Sequence, residues 1–130
     1  MIEKLNLFLK DMSNKEEYYN WHVVKNVVLN INSNDLWKII SSPSNLEKFH
    51  PFCKKNTTIK WPGIDSIDQI HYHNDMIYER RFYKWNDGKG YKLEIGKEKS
   101  DKSLVYWDIK KEGEKSELSI KIIPHLLNRG

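Results

Sequence analysis

The chain has no alanine, a single cysteine, and three arginines against 19 lysines in 130 residues. Cys53 alone cannot build an internal disulfide framework or a cysteine-rich zinc site. Arginine supplies the planar fork that grips phosphates and base edges, so its scarcity argues against a dedicated nucleic-acid surface. The formal charge of +4 comes from lysines interleaved with acids, as in Lys97-Glu98-Lys99-Ser100-Asp101-Lys102, which reads as a solvated hairpin end. No nucleic-acid partner is expected. No apolar run approaches the ~20 residues that cross a bilayer, so stable membrane insertion is not expected either. Met1-Ile2-Glu3-Lys4-Leu5 carries an acid early and opens no run of roughly 7–15 apolar residues, unlike a secretory signal. The cytoplasm is the expected compartment, where the Asn56-Thr57-Thr58 sequon has no role. Phosphate-cradling glycine loops, zinc-protease motifs and serine elbows are missing, and no cofactor is expected.

Aromatic rings are plentiful. Five tryptophans, seven tyrosines and four phenylalanines support an apolar fraction of only 38%. Each buried ring removes roughly 150–250 Å² from water, so a core is available despite the low aliphatic content. The length suits one domain over 21–130, preceded by a helical extension over 1–20. Ile2, Leu5, Leu9 and Met12 recur at helical spacing, broadened by Leu7 and Phe8, which predicts a helix over 2–12. From Trp21 the spacing becomes alternating, with Val23, Val27, Leu29 and Ile31 against Asn26, Val28 and Asn30. Ser33 or Asn34 then caps a helix with Asp35 in its first turn and Leu36, Trp37, Ile39 and Ile40 on its apolar side. Ser42-Pro43-Ser44-Asn45 breaks it, and a second short helix over 44–49 ends at Pro51.

Six strands follow, over 53–61, 67–74, 77–85, 91–95, 104–109 and 118–123. Their turn signals are Pro62-Gly63, Asp87-Gly88-Lys89-Gly90 and Gly113. Tyr91, Leu93 and Ile95 share one face, as do Val105, Trp107 and Ile109, and Leu118, Ile120 and Ile122. A sheet with one wet face must have its other face covered.

This order resembles the START-like superfamily, also called SRPBCC, helix-grip or polyketide-cyclase-like. Residues 28–40, with Trp37 before two aliphatics, are similar to its entry into the first helix. The segment 45–52, with His50-Pro51, is similar to its second helix. Further likeness lies in 85–96, Val105-Tyr106-Trp107 and Leu118-Ser119-Ile120. The resemblance implies an α+β helix-grip fold, in which a long C-terminal helix closes an apolar cavity over a curved antiparallel sheet. Here residues 124–130 would only begin that helix, so the C-terminal helix is expected to be truncated. The N-terminal helix, through Leu5, Phe8 and Leu9, or a homodimer partner is then the expected cover.

Several residues invite chemistry. His71 and His73 share a strand face near Asp75 and Glu79, a donor set suited to zinc or iron, but the reading adopted is half-exposed sheet histidines and no metal. His50 beside Cys53 suggests an activated thiolate, yet no orienting group accompanies them, so Cys53 is read as a small strand-start residue and His50-Pro51 as part of a gate. Arg81 and Tyr83 alternate with Glu79 and Trp85 on one strand face, a set that could bind an enolate oxygen and supply an acid, or form an exposed ion pair. By analogy with the resembled fold, the partner is a small apolar or amphipathic molecule, lipid-like or polyketide-like. Trp37, Phe49, Tyr91, Leu93, Trp107 and Ile120 would form the walls, and Arg81, Tyr83 or His71 would orient a polar end beside His50. Two alternatives stand beside it. One is a cyclase, aromatase or dehydratase acting on such a ligand; the other is a protein-interaction module using the open sheet face. No catalytic residue is assigned.

Overall fold

The computed structural model describes residues 1–13 and 22–125. It contains helix α1 (Ile2–Ser13), strand β1 (Val23–Leu29), helices α2 (Ser33–Ile40) and α3 (Leu46–Phe49), and strands β2 (Cys53–Lys60), β3 (Ser66–Tyr72), β4 (Ile77–Asn86), β5 (Gly90–Gly96), β6 (Ser103–Glu112) and β7 (Lys115–Ile123). This is the helix, strand, two helices and six strands that the sequence pattern predicts. Trp21, the boundary between 20 and 21, and the start of a C-terminal helix over 126–130 lie outside the described residues.

The strands form one curved, open antiparallel sheet in the order β1-β7-β6-β5-β4-β3-β2. Consecutive hairpins build β2 to β7, and β1 then pairs with β7, from Val23 opposite Ile122 to Leu29 opposite Ser116. β1 and β2 follow one another in sequence but stand at opposite edges of the sheet. The connection between them, α2 and α3, must therefore cross the width of one face, and that crossing buries the face.

Side-chain alternation selects the covered face. Leu29, Tyr91, Leu93, Leu118 and Ile120 are each no more than 2% exposed, and they meet Leu36, Ile40, Leu46 and Phe49 from the two crossing helices. Two bonds pin the end of α2. The Tyr91 hydroxyl donates to Ile40 O at 2.9 Å, and Trp61 Nε1 donates to Ser41 O at 2.9 Å. Asn56 of β2 anchors α3: its Oδ1 accepts from Leu46 N at 3.2 Å while its own N–H donates to Glu47 Oε2 at 2.8 Å.

α1 packs on α3 and β1 through Leu5, Leu9 and Met12, all buried, with Phe8 against the core edge. Asn6 Nδ2 donates to Phe49 O at 3.0 Å, and Lys4 Nζ donates to Val28 O.

One local expectation is corrected. The α2 cap is Asn32, whose Oδ1 accepts from Asp35 N at 2.9 Å, in place of Ser33 or Asn34. In the β4–β5 turn only Gly88 has a positive φ, +80°. Gly90 is required for another reason: a Cβ there would stand 2.0 Å from Trp107 O on the neighbouring strand.

Candidate functional site

Between the concave face and the helices the sheet leaves a cavity of about 610 Å³. Its walls are unlike. On one side β5, β6 and β7 contribute Leu93, Ile95, Val105, Trp107, Ile120 and Ile122. From above, Leu46 of α3 and Leu9 and Met12 of α1 close over it. Opposite, β3 and β4 contribute Ile70, Tyr72, Tyr78 and Arg80, with His50 at the end of α3. Lys97, Ser100, Asp101 and His125 stand at the rim.

Arg80 is 2% exposed, and burial works against its charge. The Asp68 carboxylate more than offsets this, and the arginine pKa stands above its ordinary value. Arg80 Nε donates to Asp68 Oδ1 at 2.8 Å and Nη2 to Oδ2 at 2.6 Å, a two-pronged pairing that fixes the plane of the guanidinium. Asn56 Nδ2 donates to the same Oδ2 at 2.9 Å, and the Arg80 guanidinium lies 4.8 Å from the centre of the Phe82 ring. The buried cation is thus fully ordered from β2, β3 and β4 together.

His50 accepts a hydrogen bond at Nδ1 from Phe52 N at 3.2 Å and meets the Tyr72 ring edge-on at 6.1 Å. Burial, then the nearby Arg80 charge, lowers its pKa from 6.5 to about 4. The ring is neutral at pH 7, with its proton on Nε2. Tyr72 and Tyr78 pack edge to face at 5.2 Å, and burial, then Tyr78, pushes the Tyr72 phenol well above its usual value.

The residues singled out in the sequence fall into three groups. His50, Leu93, Trp107 and Ile120 line the cavity. Trp37, Phe49 and Tyr91 lie behind its wall in an aromatic stack, Trp37 with Tyr91 at 6.0 Å and Phe49 with Trp107 at 6.1 Å. His71, Arg81 and Tyr83 are on the opposite face of the sheet. Arg81 is bound there to Glu94 at 2.8 Å and Asp65 at 3.2 Å, the exposed ion-pair alternative, and Tyr83 is hydrogen-bonded with Tyr106.

The arginine that reaches the cavity is Arg80, and the cause is a bulge. Phe82 pairs with Leu93 but Lys84 pairs with Lys92, so the residue inserted at Tyr83 reverses the alternation. Trp85 consequently shares the inner face with Phe82, at 5.7 Å between rings, and cannot be used to place Arg81. Phe82 was the usable signal, since strict alternation back from it selects Arg80 and Tyr78. Asp68, Asn56 and Tyr72 were missed because each is polar or half-polar on a strand with no strongly apolar face.

Other chemistry does not assemble. Burial, then Glu47, pushes the Cys53 thiol up to about 11, and no bond joins its side chain to His50 among the described residues. Asp75 is paired with Lys54 at 3.9 Å. No three His, Cys, Asp or Glu side chains converge as a metal site among the described residues. No described helix is long and apolar enough to cross a membrane.

No protein-family model matches the sequence, and no curated protein matches it. Solved structures do. The Zhui aromatase/cyclase from Streptomyces sp. R1128 superposes with a TM-score of 0.66 at 10% identity, over 78% of this chain and 66% of that one. Ara h 8.0201 gives 0.63 at 10% identity, over 78% and 74%. The chain has the START-like helix-grip fold. CalU16 from Micromonospora echinospora is similar at 0.62 and 8% identity, and the matched region spans only 60% of its length. Identities this low carry the architecture alone. In this helix-grip chain α1 supplies two residues of the cavity lining, Leu9 and Met12.

Proposed function

We propose that the protein binds a small, largely apolar molecule in the cavity between sheet and helices. The observation that carries this reading is the cavity itself. Its volume of about 610 Å³ falls within the roughly 300–1,000 Å³ of small-molecule sites, and its lining joins aliphatic walls to a few convergent polar groups. The likeness to an aromatase/cyclase adds support for a polyketide-like or lipid-like occupant.

Binding is favoured over acid–base catalysis by the state of the polar groups. Asp68 is engaged by Arg80 and Asn56, and His50, with its pKa near 4, is a weak base at neutral pH. The Tyr72 phenol is far from ionising. Arg81 and Tyr83, which the enzyme alternative would use, face away from the cavity.

Val105→Trp adds bulk to the cavity from the β6 wall, a strand that contributes no member of the Arg80, Asp68 and Asn56 cluster. Native mass spectrometry of the purified chain is expected to show a co-purifying small molecule, or uptake of added 2-acetylnaphthalene, that the variant loses. Equal uptake by Val105→Trp contradicts the assignment.

A further inference from the structure

The polar wall of the cavity is rich in hydrogen-bond donors, and Arg80, which lines it, is paired with Asp68, which lies behind the wall. Arg80 and Asp68 have side chains 3% and 0% exposed and are 2.6 Å apart, so the one buried cation is already cancelled. Asn56 occupies a further lone pair of the same carboxylate. Tyr72 and Tyr78 line the cavity, and no side-chain hydrogen bond engages their hydroxyls among the described residues. His50 uses Nδ1 to accept from Phe52 N, which leaves its neutral ring with an Nε2–H to give. At the rim Lys97 and Asp101 carry opposite charges.

Resting on the ligand-binding reading above, the geometry points to an uncharged occupant. It is a compact apolar molecule with a carbonyl or hydroxyl oxygen along one edge, held by Tyr72, Tyr78 and His50, and carboxylates of the same shape are rejected. A carboxylate that entered would shed its hydration and find the Arg80 charge spent on Asp68, with the Asp68 charge itself nearby. A neutral carbonyl loses far less hydration and recovers it from the donors along this wall. The aliphatic wall of Leu93, Val105 and Ile120 meets the other edge.

The test is isothermal titration calorimetry of the full chain at pH 7 with three probes of one shape: 2-acetylnaphthalene, 2-naphthoate and naphthalene. The ketone is expected to bind about tenfold or more tighter than the carboxylate. The double change Tyr72→Phe and Tyr78→Phe is expected to weaken the ketone by about tenfold while leaving naphthalene unchanged. Asp68→Asn keeps the side-chain shape but releases the Arg80 charge, and should raise naphthoate affinity about tenfold or more. If that variant does not fold, the ketone-to-carboxylate ratio of the unaltered protein and the double tyrosine change still decide. Equal or tighter binding of naphthoate by the unaltered protein overturns the inference and leaves the ligand-binding reading standing. So does a ketone affinity indifferent to the loss of both hydroxyls. If none of the three probes binds, the cavity reading fails and this inference with it.

Discussion

His50 sits where burial and charge act in the same direction. Both disfavour its protonated form, and its pKa is lowered from 6.5 to about 4. In the unfolded chain the same imidazole takes up a proton near pH 6.5. Between those values the unfolded state therefore binds more protons than the folded one, and stability falls as pH drops from about 6.5 towards 4. Above that window His50 contributes no slope. The full loss is about 3 kcal/mol once pH is below the folded value. Urea unfolding across pH 4–8 should show this acid limb in the unaltered protein and a flatter one in His50→Gln. An identical limb in both would place the sensitivity elsewhere. Arg80 illustrates a different residue-level lesson. It and Arg81 are adjacent and chemically identical, yet one is sealed against Asp68 and the other is solvated beside Glu94. Composition cannot separate them. Only the phase of the strand can, and the bulge at Tyr83 disturbs that phase.

At the level of elements, periodicity made the architecture legible. The alternation in β5, β6 and β7 named Tyr91, Leu93, Trp107, Leu118 and Ile120 as inward, and all are buried. β5 and β7 are regular, with apolar residues on one side and mostly Lys, Glu or Ser on the other, while Leu104 and Tyr106 blur the outer side of β6. β2 and β3 were opaque in this respect, because their inner face carries Asn56, Ser66 and Asp68, polar side chains whose burial depends on partners outside their own strand. α1 was legible as an amphipathic helix, and its docking gives its leucines different tasks. Leu5 is fully buried in packed surroundings, whereas Leu9 also borders the cavity. Leu5→Ala is expected to cost about 2–5 kcal/mol, since it opens a new void. Leu9→Ala should cost less, because it enlarges a void already present, and should instead weaken binding of an enclosed ligand. Chemical denaturation and 2-acetylnaphthalene titration of the two variants check the contrast. Equal stability losses with equal affinities would argue against α1 as part of the binding wall.

Across the whole molecule, the long crossing from β1 to β2 creates both the core and the cavity. α2 fills one part of the concave face, held by Tyr91 and Trp61, while α3 and α1 arch over the remainder and leave the space beside Arg80. The central claim is that this concave face, and not the outer one with Arg81, Tyr83 and Tyr106, receives the ligand. Chemical-shift mapping by NMR during titration with 2-acetylnaphthalene tests it most directly. Shifts should concentrate on the amides of Ile70, Leu93, Val105 and Ile120 and on the Trp107 indole N–H, with Tyr83, Lys92 and Tyr106 unmoved. Shifts centred on Tyr83 and Tyr106, with Leu93 and Trp107 silent, would contradict it.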